Sequence, residues 1–199
     1  EFERRAREGT WRELRGIGES TATVVVQALA GRVPDRLAKL RADAKPLATG
    51  GESLLAALRG DLHTHTDASD GGSPVERSLE VATARGYQYL AITDHSPRLT
   101  VANGLSAERL AAQLDQLAEL NAGDGCRLLS GIEVDILTNG GLDQIPELLT
   151  RLDVVVASVH SELRMDAEPM THRMVAAVAN PYTNILGHCT GRLITGGRG

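Results

Sequence analysis

The stretch Asp61-Leu62-His63-Thr64-His65, followed at once by Ser69-Asp70-Gly71, gathers residue types that can hold a metal ion. Side chains alternate across a strand, so positions 63 and 65 share one face if the segment is extended. Imidazole is a favoured ligand for zinc, manganese and iron, and a carboxylate five residues later can close the same site. The chemistry this points to is metal-dependent hydrolysis. Leu54, Leu55 and Leu58 form an apolar lead-in and predict a strand that ends at the histidine pair. One His-x-His is as often a hydrogen-bonded structural pair as a site, so the remaining histidines have to decide.

They fall in a pattern. Tyr87-Gln88-Tyr89-Leu90-Ala91-Ile92 is strand-like and ends in Thr93-Asp94-His95. Arg127 to Ile132 leads into Glu133, Asp153 to Val159 delivers His160, and Thr183 to Gly187 delivers His188. Five candidate strands thus each finish with a metal-capable residue, and only His172, in a polar helical stretch, stands outside. Chance placement would not collect them at C-terminal strand ends, which is where β/α barrels put their chemistry.

The elements between are helical. Pro74 to Arg85 follows Ser73 as a candidate N-cap, with Pro at the first helical position, and stops at Gly86. Ser106 to Asn121 carries Leu110, Leu114, Leu117 and Leu120 at helical spacing. Asp143 to Arg151 and Glu168 to Ala179 repeat the pattern. Strand and helix alternating in this way predict an α/β chain of parallel β/α units around a barrel-like sheet.

Composition agrees. The 199 residues are 42% hydrophobic and only 3% aromatic, enough for one sizeable aliphatic core and a small appendage. No apolar run reaches 18 residues and no signal-peptide pattern is visible, so neither a membrane span nor export is expected. Cys126 and Cys189 lack metal-type spacing and are expected to be reduced core thiols of a cytoplasmic protein.

The first part of the chain is a different object. Residues 1–59 carry a net charge of +3, against −8 for the rest. Within the basic part, Leu14-Arg15-Gly16-Ile17-Gly18-Glu19-Ser20-Thr21-Ala22 precedes an apolar helix from Thr23 to Ala30. Two glycines permit a tight hairpin, and exposed backbone N–H groups at the start of the second helix suit a phosphate oxygen. The segment resembles a helix-hairpin-helix, which binds DNA backbones without reading sequence. Gly16, Ile17, Gly18 and Thr21 are its candidate DNA contacts, flanked by Arg12, Arg15 and Arg32. The plainer alternative is an ordinary αα-hairpin with a glycine turn, and a charge of +3 is a small electrostatic footprint.

Taken together, Asp-Leu-His-Thr-His…Ser-Asp-Gly, Ile-Thr-Asp-His-Ser-Pro, Gly-Ile-Glu-Val-Asp-Ile, Ser-Val-His-Ser and Gly-His-Cys-Thr-Gly-Arg resemble the polymerase-and-histidinol-phosphatase (PHP) domain. The version at the C-terminus of bacterial family X DNA polymerases is the most similar, and the N-terminal segment resembles the helix-hairpin-helix of those polymerases. The resemblance implies a PHP-type distorted β/α barrel, here about five of seven strands, behind a small all-α module. The expected organisation is a DNA-binding module at 1–48, a linker at 49–59 containing Gly50-Gly51, and a C-terminally incomplete PHP domain at 60–199.

Residue by residue, the resemblance implies that His63, His65, Asp70, His95, Glu133, His160 and His188 are ligands for two or three divalent ions (manganese, zinc or iron), with the glutamate able to bridge two. Arg192 and Arg164 match places where the family presents cations to phosphate; the alternative for each is a solvated surface charge. Asp94 and Asp135, beside ligands, are expected to hydrogen-bond to ligands rather than coordinate. Two departures stand out. No room exists between hairpin and first metal strand for a nucleotidyl-transfer domain, so the chain is not expected to be a polymerase. The family's late Asp-x-His has no counterpart after His188 and the chain starts without Met, so a fragment is expected.

The leading expectation is a metal-dependent phosphoesterase acting on DNA ends, as 3′-exonuclease or 3′-phosphatase. One alternative is a small-molecule phosphatase of the histidinol-phosphate type. Another is a DNA-binding module whose metal site is structural or degenerate.

Overall fold

A computed structural model describes residues 1–44, 50–121 and 125–190. The chain divides into two compact units, Glu1–Leu55 and Ala56–Gly199, a division that falls inside the expected linker.

The first unit contains helices α1 (Phe2–Glu8), α2 (Glu19–Leu29) and α3 (Asp35–Asp43), with a 3-10 turn at Trp11–Glu13. Its small core forms around Trp11, which is buried and packs on Phe2 with ring centroids 5.2 Å apart. Arg5 is nearly buried as well, held by Glu1, Glu13 and the Thr10 carbonyl. Helix α2 starts at Glu19, four residues before the expected Thr23, because Gly18 takes the N-cap in extended backbone. Gly16, at φ 86°, makes the turn that precedes it. The element before the glycines is therefore a single 3-10 turn rather than a helix. The helical pair in this unit is α2 and α3, linked by the Gln27 carboxamide, which bonds both the Asp35 backbone N–H and its carboxylate.

The second unit is built on five parallel strands in the order β1 (Gly60–Thr64), β2 (Tyr89–Ile92), β3 (Arg127–Asp135), β4 (Val154–Ser158) and β5 (Ile185–Leu186). Sequential parallel order is that of a curled half-barrel, and each crossover carries a helix. These are α5 (Val75–Ala84), α6 (Ala107–Leu120), α7 (Pro146–Leu149) and α8 (Ala167–Val178), numbered after the short α4 (Glu52–Ala57). Among the described residues no helix is long and apolar enough to cross a membrane.

Strand alternation explains which side chains meet. Leu128, Ile132, Val134 and Ile136 of the β3 run, with Leu90, Ile92, Val155 and Ala157, pack against the helices through Leu110, Leu117, Val75 and Ala177. The opposite parity, Ala91, Leu129, Val154, Val156 and Ile185, forms a separate apolar cluster on the other face. Continuing that second parity toward the strand ends leads to His95, Glu133 and His160. The sheet therefore lays an aliphatic floor on one face and places polar groups directly above it.

Several expectations are corrected. Leu54 and Leu55 lie in helix α4 and, with Leu58, are exposed, so the lead-in is not part of β1. The strand begins at Gly60, where a side chain would collide with the Tyr89 backbone. The helix expected at Asp143 to Arg151 is the single turn α7, because Asp143 is drawn into accepting the Arg98 N–H. Pro74, not Ser73, is the N-cap of α5. Cys126 is a buried core thiol, pushed up by burial, but Cys189 is exposed.

Candidate metal centre

Every strand delivers its metal-capable side chain to one place. His63 lies in β1 and His65 just past it, Glu133 near the end of β3, and His95, His160 and His188 follow β2, β4 and β5. Glu133 is the hub. Its Oε1 lies 2.6 Å from His188 Nε2 and 3.3 Å from His160 Nε2. Its Oε2 lies 3.1 Å from His95 Nδ1, 3.3 Å from His63 Nε2 and 3.4 Å from His65 Nε2. Asp70 approaches the far side, 3.6 Å from His65 Nδ1 and 3.5 Å from His95 Nε2. All seven residues singled out as ligands are thus brought together.

The donor set fits divalent cations. Glu133 is only 1% exposed, and a buried carboxylate must be compensated by charge or hydrogen bonds. Yet Oε2 has no aligned donor despite three imidazoles within 3.4 Å, and the Nδ1 atoms of His65 and His95 are buried without partners. Nitrogens also face each other, His63 Nε2 to His65 Nε2 at 3.1 Å and His160 Nε2 to His188 Nε2 at 3.2 Å. A neutral imidazole has one N–H, so so many lone pairs converging on one carboxylate call for cations between them. Three overlapping groups have ligand atoms close enough to share an ion: His63–His65–Glu133, His65–Asp70–His95 and His95–Glu133–His160.

Electrostatics say the same of the cation-free protein. Burial would push the Glu133 carboxyl up, but His160 and His63 outweigh it and hold it well below the usual carboxylate range. Burial pulls His160 down while Asp135 and Glu133 pull harder, raising it to about 9. Glu133 likewise raises His63, and burial lowers His95. The buried carboxylate thus favours the charged forms of His63 and His160 beside it.

Around the hub, hydrogen bonds fix His160 and the loop that carries Asp70. Asp135 Oδ1 meets His160 Nδ1 at 2.5 Å, and the Asp135 N–H donates to the Ser96 hydroxyl. Asp94 is buried and accepts four bonds: from Thr66 N–H and hydroxyl, the Ser69 hydroxyl and Gln113 Nε2. These bonds pin the loop that carries Asp70. Gly71 closes that loop with its N–H on the Thr66 carbonyl, and a Cβ there would lie 2.5 Å from the His65 carbonyl oxygen. Neither aspartate is placed among the three candidate ion groups. His188 departs from strand alternation through a left-handed backbone, φ 35°, a conformation a non-glycine residue holds only under constraint.

Two positioning side chains were not anticipated. Arg173, 1% exposed on α8, donates to the carbonyls of Ile136, Leu137 and Ser161 and to the Ser161 hydroxyl. It ties the end of β3 to the residue after His160. Gln113 on α6 is buried against Asp94. Helical spacing held the clue: Leu110-Gln113-Leu114-Leu117 and Met170-Arg173-Met174-Ala177 each put a polar residue inside an apolar i, i+3, i+4, i+7 stripe. Of the two arginines expected to meet phosphate, Arg164 is exposed in the segment between β4 and α8, with no ion-pair partner among the described residues; Arg192 lies outside them.

The sequence profile of the PHP domain matches residues 61–193. The chain belongs to the PHP domain family. A DNA polymerase/3′-5′ exonuclease PolX of Bacillus subtilis is 43% identical over 141 residues, 70% of this chain and 25% of that protein. A probable phosphatase of Thermoanaerobacter sp. is 34% identical over 133 residues, 64% of this chain and 52% of its own length. One from Acetivibrio thermocellus is 36% identical over 132 residues, 64% and 53%. The chain therefore spans about a quarter of the Bacillus protein and about half of each phosphatase.

Proposed function

We propose that this PHP domain is a metal-dependent phosphoesterase acting at DNA ends, as a 3′-exonuclease or 3′-phosphatase. The observation that carries the reading is a buried, ionised Glu133 ringed by five imidazoles at the C-terminal ends of parallel strands. His63, His65, Asp70, His95, Glu133, His160 and His188 would hold two or three ions of manganese, zinc or iron. Such ions supply neutralisation of phosphate oxygens and activation of water for in-line attack. The chain's own residues do the rest. Glu133 keeps its charge between the ligands, Asp135 orients His160, and Asp94 anchors the Asp70 loop. Arg164 and Arg192 are proposed to meet the phosphate.

DNA as substrate is supported by the 3′-5′ exonuclease activity for which the Bacillus relative is named and by the basic N-terminal segment. There the N-cap Gly18 opens α2, and Gly16, Ile17, Gly18 and Thr21 are the proposed phosphate contacts. The Thermoanaerobacter and Acetivibrio relatives are named as probable phosphatases, which leaves room for a second reading, a small-molecule phosphatase such as one acting on histidinol phosphate.

Elemental analysis of the purified protein, paired with 3′-exonuclease and phosphatase assays with and without added manganese, tests the proposal. Two or three ions and manganese-dependent release from DNA 3′ ends are expected. His63→Ala with His65→Ala should abolish hydrolysis and leave DNA binding intact. Faster turnover of histidinol phosphate than of DNA ends would select the second reading, and metal-free, inert protein would sink both.

A further inference from the structure

The candidate metal centre opens on one side into a cavity of about 660 Å³, within the range of small-molecule sites. His160 and His188 form part of its wall, and these are the imidazoles that meet Glu133 Oε1. Their rings stand at 85° with centroids 5.1 Å apart. The wall beyond them is mostly apolar: Leu99, Leu163, and Met170 and Met174 one turn apart on α8, with Cys189 and Thr190 following His188. Among the described residues no Lys, Arg, Asp or Glu lines it. Leu163 is 61% exposed at this cavity, a large apolar side chain left to water in a loop that follows a ligand.

We propose that this cavity is the subsite for the nucleobase of a 3′-terminal nucleotide whose phosphate sits at the metal centre. The inference rests on the phosphoesterase reading and narrows its substrate. A group attached to a phosphate held beside His160 and His188 has the adjoining cavity as its nearest enclosed space. A second phosphate would find no cation among the described residues of the wall, and a polyol would leave most of its hydroxyls facing leucine and methionine, with only the Thr190 hydroxyl among them. A planar base suits the walls: its faces bury apolar surface against adaptable methionine thioethers and imidazole rings, while its edges remain open to solvent.

The test compares kcat/KM for thymidine 3′-monophosphate and for the 3-phosphate of 1,2-dideoxyribose, which lacks the base. Both release a secondary alcohol, so the bond broken is matched and the difference reports the base. A preference of roughly tenfold or more for the nucleotide is expected, the scale of base stacking on a protein surface. Leu163→Asp, at an exposed position, should bring the ratio close to one, and Met170→Glu should do so independently. Equal turnover of the two substrates by the unaltered protein overturns the subsite and leaves the phosphoesterase reading standing. A preference that survives both substitutions also overturns it. If neither substrate is hydrolysed the subsite fails, and the DNA-end assay on the same preparation decides whether the wider reading fails with it.

Discussion

Glu133 and His160 are held by strands, whereas Asp70 is held by side chains. On the β3–β4 side, Gly131 to Asp135 pair in unbroken register with Val154 to Ser158, over a floor of Ile132, Val134, Val155 and Ala157. On the β1 side the register with β2 breaks between Asp61 and Thr64. From there Asp70 depends on four hydrogen bonds converging on Asp94. The first side draws its rigidity from the backbone ladder and the core, the second from a polar network that a single substitution can loosen. A centre built in this way fixes the shared carboxylate through the sheet and leaves Asp70 the group most easily displaced by substitution.

The sharpest break in that comparison is Glu133→Gln. Both halves meet at this carboxylate, so its neutralisation should remove ions from both. Turnover is expected to fall by more than the roughly 10–100-fold typical of residues that only support a ligand. Elemental analysis should show the stoichiometry fall with it; full retention of metal would show that the halves do not share Glu133.

Next is the rigid side's own clamp. Arg173→Met fills similar volume but strips donors from Ile136, Leu137 and Ser161 carbonyls, and each buried acceptor left without a partner costs about 1–3 kcal/mol. Denaturant unfolding should show a loss of about 3 kcal/mol or more. Arg173→Lys, which restores a charge but not the fork of donors, should recover only part of it.

Asp135→Asn probes the same side through protons. In the cation-free protein His160 sits at about 9, above the value near 6.5 of an unfolded imidazole. Protonated His160 therefore stabilises the cation-free fold fully below about pH 6.5, and that contribution is lost as pH rises through about 9. Ion binding needs the neutral ring, so manganese affinity should climb across the same window. Asp135→Asn should move the climb to lower pH and weaken affinity at its plateau by roughly 10–100-fold. Calorimetric titrations at several pH values check both.

The clustering of the candidate ligands was legible because strand parity and strand ends are written in local spacing: His63 and His65 two apart, Val154 and Val156 leading to His160. The clamps were less legible. Arg173 and Gln113 act across the fold on backbone groups of other elements, and nothing local names those partners. Their only local mark is a polar residue where an apolar stripe expects a hydrophobe. Composition misled at Leu54, Leu55 and Leu58, whose apolar character predicts a strand although they lie in or beside a helix and face water. His188 was located by its strand, but neither its left-handed backbone nor its contacts with Glu133 and His160 are encoded by spacing.

The smallest effect should come from the adjustable side. Gln113→Leu suits the stripe of Leu110, Leu114 and Leu117, so the helix should pack without it. What is lost is one of four donors to Asp94, leaving Thr66 and Ser69 to hold the loop. Asp70 should then wander relative to His65 and His95, and the ion these three would hold should weaken by roughly tenfold, the low end for a supporting partner. The ions held by Glu133 with His63 or His160 should keep their affinity, so a manganese titration should separate into one weakened and otherwise unchanged steps. If all steps weaken together, the loop and the strands form one cooperative unit, and the distinction between the two sides of the centre is lost.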